Sequence, residues 1–151
     1  MRREKQEIHY QAELEEIFRE AIVCRLAIAD GDAPYIVPLN FGYQDNTLYF
    51  HSAAEGRKLD LLRKRPDVCF EVESGVKIVR GTTACDWGVS FRSIIGFGRA
   101  ELVEGADEKR RALDVIMRHH GAEEPFDYPE SNLKVTTVIR VDIEEMTGKR
   151  K

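Results

Sequence analysis

The chain has 151 residues, of which 42% are hydrophobic and 33% are charged, as in one ordinary globular domain spanning residues 1–151. Its 23 Lys and Arg residues against 27 Asp and Glu residues give a formal net charge of −4. Such a chain lacks the positive surface that most nucleic-acid-binding domains use to displace counterions, so we expect no nucleic-acid partner. Because no apolar run reaches the roughly 18–20 residues of a membrane helix, we expect no membrane partner.

The cysteines indicate a reducing compartment. Cys24, Cys69 and Cys85 are odd in number and widely spaced. They form no CxxC pair, and no Cys/His cluster has the spacing of zinc ligands. The N-terminal residues are charged where a signal peptide would be apolar. These features predict a cytoplasmic protein without a structural metal.

Hydrophobic periodicity predicts one helix and three strands in the first part of the chain, over residues 10–20, 22–29, 33–43 and 47–51. Short polar connections join the strands, and we expect the second and third of them to form a hairpin. Pro38 cannot donate a ladder hydrogen bond, so it marks a sheet edge or a bulge.

The second part predicts two more helices and three more strands. Ser52 and Glu55 have capping-box spacing ahead of a helix that Pro66 ends, and Asp107 caps a later helix that Gly121 ends. The later helix is expected to direct Leu113, Ile116 and Met117 to the core. The strands cover residues 67–73, 91–103 and 135–143, and a long loop or irregular strand is expected over 74–89.

Two glycines interrupt the predicted strand 91–103. Gly96 and Gly98 indicate a bend, a bulge or a close approach by another backbone. Short spacings and alternating patterns favour antiparallel pairing. The predicted class is therefore mainly β with peripheral helices, in a six-stranded antiparallel split β-barrel.

The junction between strand 47–51 and the next helix is the strongest candidate site. A helix start presents unpaired N–H groups and the positive end of its dipole, both of which favour an anion. The hydroxyl of Ser52, the small Ala53 and the cations Arg57 and Lys58 all lie in this stretch. Cations neutralise a phosphate, and Arg can bind it through two hydrogen bonds. The alternative is a capped surface helix with solvated charges.

A second candidate site is the run from residue 37 to residue 41, which consists of Val37, Pro38, Leu39, Asn40 and Phe41. Pro38 interrupts regular pairing and frees neighbouring backbone groups, which suit a planar heterocycle with alternating donors and acceptors. The alternative is an edge strand that proline protects from further pairing.

A third candidate site combines Trp87 with Arg92 and Ser93. The Trp ring could stack on a ligand ring, and the Arg could bind an anion or the polar edge of a heterocycle. Core packing of Trp87 is the alternative. His51 is a candidate catalytic proton donor, because an unperturbed histidine has a pKa of about 6.5.

Two further features favour ordinary structural roles. The pair His119–His120 ends a predicted helix, where the dipole favours histidine, and no third metal ligand is evident. Cys85 falls in the irregular stretch 74–89 and would be a reactive thiol only beside a His or a cation, which the sequence does not assign.

Four stretches, in this order, resemble the flavin-binding split-barrel proteins related to pyridoxamine 5′-phosphate oxidase. The resemblance is nearer to the nitroimidazole-resistance (Nim) branch than to the oxidase itself. The stretches are CRLAI at 24–28, YIVPLNFGY at 35–43, LYFHSAAEGRKLDLLRKRPDVCFEVE at 48–73 and WGVSFRSIIGFGRAELV at 87–103. The strings VPLNF and YFHSAxEGRK together are specific for this family, whereas either string alone is a weak signal.

This resemblance implies a homodimer with FMN, or alternatively FAD, at the subunit interface. It implies that the run 37–40 follows the isoalloxazine and that residues 51–53 also line the flavin. It further implies that Lys58, with Arg57, meets the phosphate and that Arg92 and Ser93 complete the pocket. The C-terminal tail carries Arg140 but lacks the Arg-bearing motif that holds the substrate phosphate in the oxidase proper. Vitamin B6 oxidation is therefore not expected.

Two functions remain open from the sequence. The first is a flavin-dependent oxidoreductase that passes electrons from NAD(P)H through FMN to a small aromatic or nitro acceptor, with His51 as proton donor. The second is a non-catalytic flavin- or haem-binding protein or a redox sensor, because no nicotinamide site is visible.

Overall fold

The computed structural model of the protein describes residues 4–151. Its strands are β1 Glu7–Ile8, β2 Val23–Asp30, β3 Ala33–Asn40, β4 Gly42–Gln44, β5 Thr47–Ala53, β6 Asp67–Val79, β7 Gly88–Val103 and β8 Thr136–Arg150. Its α-helices are α1 Gln11–Glu20, α2 Arg57–Lys64, α3 Ala106–His119 and α4 Glu130–Val135. Single 3₁₀ turns cover Glu4–Gln6 and Ala84–Asp86.

All the strands of this part of the chain form one antiparallel sheet in the order β3-β2-β6-β7-β8-β5-β4, and β1 pairs with β8. The sheet stays open, but the edge strand β3 contacts β5 without pairing with it. The sheet thus curls into a split barrel around a core that includes the fully buried Phe18, Phe41, Phe50 and Phe70. The predicted class is confirmed, with the short strand β1 added and one of the six predicted strands divided into β3 and β4.

Helix α1 closes one side of this core as its amphipathic pattern predicts. Leu14, Ile17 and Phe18 are buried, and the Phe18 ring stacks on Tyr43 with centroids 4.1 Å apart. On the polar side, Arg92 of β7 pairs with two glutamates of α1. The helix is therefore held by an apolar face and by charges along its border.

The predicted strand over residues 33–43 is wrong as one element. Phe41 leaves the strand to enter the core, and this divides the segment into β3 and β4. β3 pairs with β2 along its whole length, so the predicted hairpin with β5 is limited to the three residues of β4. Pro38 lies on the edge strand, as predicted.

The stretch 74–89 is more regular than predicted. β6 continues to Val79 and pairs with β7 beyond an irregular step between Ser74 and Lys77. Gly75 lies within that step with a φ of +63°, which glycine adopts without the penalty of a side chain. Local periodicity is lost at the irregular step, although the two strands continue as one long hairpin.

Two predicted helix caps are also wrong. Ser52 stays in β5, where it pairs with Thr137, and the residue that precedes α2 is Gly56. Asp107 lies inside α3, whose N-cap is Gly105. Helix α2 therefore begins after its predicted cap, whereas α3 begins before its predicted cap.

The predicted close approach at the β7 glycines is confirmed. A Cβ at Gly98 would lie 2.3 Å from the carbonyl oxygen of Asp142, and one at Gly96 would lie 2.4 Å from the Phe70 ring. The β7–β8 register also shifts between Phe97 and Gly98. The end of α3 at Gly121, which has a φ of +79°, is confirmed as well.

Two expectations about the last third of the chain are corrected. Met117 is 38% exposed, so it does not join the buried residues of α3. Val135 ends α4, and the last strand runs from Thr136 to Arg150 because it pairs with three strands, β5, β7 and β1. Along residues 4–151, no helix combines the length and apolar character needed to cross a membrane.

Candidate functional site

The start of α2 is open to an approaching anion. Gly56 precedes the helix with a φ of +138°, and a Cβ built on it would meet no atom within 4 Å. Among the described residues no side chain caps the helix. Leu59 and Asp60 donate their N–H groups to the Gly56 carbonyl, so among the described residues the N–H groups of Arg57 and Lys58 are those left for a ligand, an arrangement that suits a phosphate.

The structure separates the two cations predicted for this position. Nε of Arg57 donates a hydrogen bond to the Asp30 carboxylate at 3.0 Å, and its guanidinium carbon lies 4.7 Å from the centroid of the Tyr35 ring. Lys58 makes no ion pair with any residue between 4 and 151. Lys58 is therefore the cation available to a ligand, whereas Arg57 is already engaged.

Ser52 supplies an unmet hydrogen-bonding group near the same helix. It lies on the inward face of β5 with Leu48 and Phe50, and its Oγ is buried without a hydrogen-bond partner in the described part of the chain. An unsatisfied buried hydroxyl costs about 1–3 kcal/mol. Ser52 does not line the cavity described below, so its contact with a phosphate stays a prediction.

A cavity of about 440 Å³ lies between the ends of β3 and β5, helix α3 and the segment 127–136. It brings together two of the predicted site residues, Asn40 and His51. Most of the remaining wall is apolar or aromatic and comes from the later part of the chain, with Leu113, Ile116, Met117, Tyr128, Pro129 and Leu133. We call this the His51 cavity.

His51 links the cavity to the start of α2. Burial lowers its pKa below 6.5, and the positive charges of His120 and Lys58 lower the pKa further. His51 therefore lies close enough to His120 and to Lys58 for their charges to act on it. At pH 7 the His51 imidazole is mainly neutral.

Folding stability is expected to fall as the pH decreases below about 7. Burial is the largest cause of a lowered pKa at both His51 and His119. Between the folded and unfolded pKa values the unfolded chain binds more protons, so the free energy of unfolding rises with pH in that window. Urea unfolding at several pH values measures this slope.

Two variants isolate the histidine contribution. His51→Gln and His119→Gln are each expected to flatten the slope. A slope that His51→Gln does not alter would contradict the assignment.

His119 is fixed in a structural position. Its Nε2 lies 2.8 Å from the carbonyl oxygen of Ala21, and its ring lies 4.5 Å from that of Phe41. His120, next in sequence, lines the His51 cavity. The sequence pointed to the pair only as a helix end, and it contained no local signal that His120 and Tyr128 face His51.

The run 37–40 alternates between two faces of the edge strand. Val37 and Leu39 are half-buried against the core, whereas Pro38 and Asn40 are exposed on the other face. Asn40 alone of the four lines the His51 cavity. The contact of the whole run with a flavin ring stays a prediction.

Trp87, Arg92 and Ser93 lie away from the His51 cavity. Val138 pairs with both His51 and Val103, and Arg92 precedes Val103 by eleven residues along β7, roughly 36 Å in an extended strand. Arg92 donates hydrogen bonds to Glu16 and to Glu20, the latter at 2.6 Å. One chain therefore does not unite all the predicted residues in a single site.

A larger groove of about 640 Å³ lies between α1, the β4–β5 turn and α3. Glu15 and Asp45 line it together with Arg19 and Arg118, so its charge is mixed. None of the predicted site residues lies there. We therefore assign the candidate site to the His51 cavity and the start of α2.

Comparison with known proteins agrees with this architecture. A model of the family described as pyridoxamine 5′-phosphate oxidase matches residues 10–150. The chain belongs to the pyridoxamine 5′-phosphate oxidase family. The family predicted from the four sequence stretches is thus confirmed, while no curated protein matches the sequence.

Solved structures resemble this family member over most of its length. A candidate 5-nitroimidazole antibiotic resistance protein from Bacteroides thetaiotaomicron is 36% identical, with a TM-score of 0.85 over 95% of this chain and 86% of that one. A FAD-binding protein from Mesorhizobium loti is 26% identical, with a TM-score of 0.69 over 95% and 96%. A FAD- and haem-binding protein from Mycobacterium smegmatis, at 18% identity, shares the fold, with a TM-score of 0.86 over 97% and 73%.

Proposed function

We propose that the protein is a flavin-dependent oxidoreductase that passes electrons from NAD(P)H through FMN to a small aromatic or nitro acceptor. The observation that carries the proposal is the open, uncapped start of α2 with the unpaired Lys58, next to a largely apolar cavity lined by His51. The start of α2 suits the phosphate of a flavin, and the apolar cavity suits its ring. Similarity to a FAD-binding protein and to a candidate nitroimidazole-resistance protein supports the same cofactor and acceptor classes.

The residues at the start of α2 fit the phosphate end of a flavin. Lys58 and the first-turn N–H groups would hold the phosphate, and the buried hydroxyl of Ser52 would gain a partner. Arg57 would join them only by giving up its contact with Asp30. FAD is the alternative cofactor, since its pyrophosphate would meet the same groups.

The residues of the cavity fit the ring end and the acceptor. A bound flavin supplies the electron-transfer chemistry, and the protein supplies orientation and protons. Asn40 and Ala53 present polar and small surfaces on the exposed side of the strands, while His51 is the proton donor. Its lowered pKa makes the protonated imidazole a stronger acid, although a smaller fraction is protonated at pH 7.

The first test is the absorbance spectrum of the purified protein, followed by FMN titration. We expect flavin absorbance near 450 nm, bleaching on addition of NADPH and recovery of absorbance when a nitroaromatic acceptor is added. Protein that stays colourless after incubation with FMN and dialysis would overturn the proposal.

A second candidate function is a non-catalytic flavin or haem carrier or a redox sensor. It is favoured by the presence of two histidines, His51 and His120, in one mainly apolar cavity, since imidazole is a common haem ligand. A Soret band would favour the haem carrier. A flavin band that NADPH does not bleach would favour the flavin carrier.

We further propose a homodimer with the flavin at the subunit interface. The end of the β6–β7 hairpin exposes a group of large apolar side chains: Val76, Ile78, Val79, Trp87 and Val89. A contiguous exposed apolar group of this kind favours an interface. A partner copy could also bring Trp87, Arg92 and Ser93 to the His51 cavity, which their own chain does not do.

Ile78→Glu is expected to dissociate the dimer, because it introduces a charge at a side chain that is 72% exposed within this apolar group. Sedimentation equilibrium should report twice 17.3 kDa for the unchanged protein and 17.3 kDa for the variant. A mass of 17.3 kDa for the unchanged protein would contradict the shared site.

A further inference from the structure

His120 presents one unused ring nitrogen. Its Nδ1 lies 2.7 Å from the carbonyl oxygen of Ile116. A carbonyl can only accept, so Nδ1 carries the proton and the neutral ring has a lone pair on Nε2. Among the contacts of residues 4–151, none occupies that Nε2. His120 is therefore a hydrogen-bond acceptor at the wall of the His51 cavity.

Two other polar side chains of the wall, those of Tyr128 and Thr136, are already engaged. The hydroxyl of Tyr128 donates to Asp114 at 2.9 Å, and Thr136 donates to the carbonyl oxygen of Asn132 at 2.8 Å. Burial and the hydrogen bond to Asp114 raise the pKa of Tyr128, so its hydroxyl stays protonated. The Asp127 carboxylate adds a second acceptor to the lining. The cavity thus offers the acceptors of His120 and Asp127, beside the amide groups of Asn40 and Asn132, within a mainly apolar wall.

The lining of the His51 cavity favours a particular class of ligand. Leu113, Met117 and Leu133 suit the faces of a flat ring, and Met side chains adapt to planar groups. An acceptor without a partner favours a ligand that carries a donor, because an acceptor covered by an apolar group loses its contact with water. The ligand that fits is a flat heteroaromatic ring with an N–H group.

We propose that the His51 cavity binds a planar heteroaromatic molecule whose ring N–H donates a hydrogen bond to Nε2 of His120. His120 is then a specificity-determining residue, while His51 lies on the side of the cavity that faces Lys58. The identification of this molecule as the electron acceptor rests on the proposed function, whereas its binding does not depend on a flavin.

The probe pair that tests this proposal is benzimidazole and 1-methylbenzimidazole. The two share a ring system, and the second lacks the N–H donor. Calorimetric titration of the full-length protein at pH 8, where both probes are neutral, should give benzimidazole an affinity on the order of tenfold higher. In His120→Phe the ratio of the two affinities should fall to about one, and in His9→Phe it should be unchanged.

A further variant and an NMR measurement test whether His120 is the residue responsible for the preference. Asp127→Asn should retain the preference for benzimidazole, and loss of the preference in that variant instead of His120→Phe would overturn the proposal. Failure of the unchanged protein to bind either probe, or equal binding of both, would also overturn it. Because His120→Phe could disturb the end of α3, the ¹⁵N resonance of His120 Nε2 is followed in the unchanged protein and should shift with benzimidazole only.

These readouts separate two failures. Binding with the expected preference in a protein that never takes up FMN would retain the ligand site and reject the oxidoreductase. Flavin uptake and turnover without any N–H preference would retain the oxidoreductase and reject the role of His120.

Discussion

Lys58→Ala is expected to weaken FMN binding by about 1.5–3 kcal/mol, roughly a 10- to 150-fold increase in Kd. Lys58 is the cation at the start of α2 that no carboxylate neutralises in the described chain, and the helix dipole acts in the same direction. A charge-assisted hydrogen bond to phosphate is therefore lost in the variant. Fluorescence titration of FMN with the purified protein measures the change.

Two control variants test the position of the charge. Lys64→Ala removes the same charge from the other end of α2 and should leave Kd nearly unchanged. Arg57→Ala should have a smaller effect than Lys58→Ala, because Arg57 is held by Asp30. Equal Kd values for Lys58→Ala and the unchanged protein would remove Lys58 from the phosphate site.

Gly42→Ala is expected to lower the free energy of unfolding by about 2–4 kcal/mol. A Cβ at this position would lie 2.7 Å from the backbone nitrogen of Ile116 and 2.8 Å from Val115 C and Ile116 Cα. These atoms belong to the backbone of α3, so the whole helix must move away from β4. Urea unfolding measures the loss of stability.

The same substitution should also weaken ligand binding in the His51 cavity, because α3 carries Leu113 and Met117 and His120 directly follows it. Gly88→Ala is the matched control, since a Cβ there would meet only the end of the Lys151 side chain at 3.8 Å. That variant should stay within about 0.5 kcal/mol of the unchanged protein. A Gly42→Ala protein of undiminished stability would mean that α3 is not packed against β4 as described.

The parts of the fold that depend on local periodicity were predictable from the sequence. The apolar stripe of α1 and the alternation of β6 before its irregular step directed the right side chains to the core, because burial acts on each residue according to its own face. Gly96 and Gly98 indicated close packing since glycine in a strand otherwise reduces stability. The family also followed from the sequence, through the order of four stretches.

Partner choice between distant elements needed the tertiary structure. The β3–β4 division arises because Phe41 turns into the core, and the assignment of β3 to β2 depends on register rather than on the composition of either strand. Arg57 and Lys58 are adjacent and chemically similar in the sequence. Asp30, 27 residues earlier, distinguishes them by pairing with Arg57 only.

The composition of the candidate site also needed the tertiary structure. The family, the fold class and the residue types suited to a phosphate and a ring followed from the sequence alone. The tertiary structure decided that His51 shares a cavity with His120 and Tyr128, and that Trp87 and Arg92 lie toward the other end of β7. The physical reason is that periodicity reports which face of an element is buried, whereas a site depends on hydrogen bonds, ion pairs and packing between residues far apart in the chain.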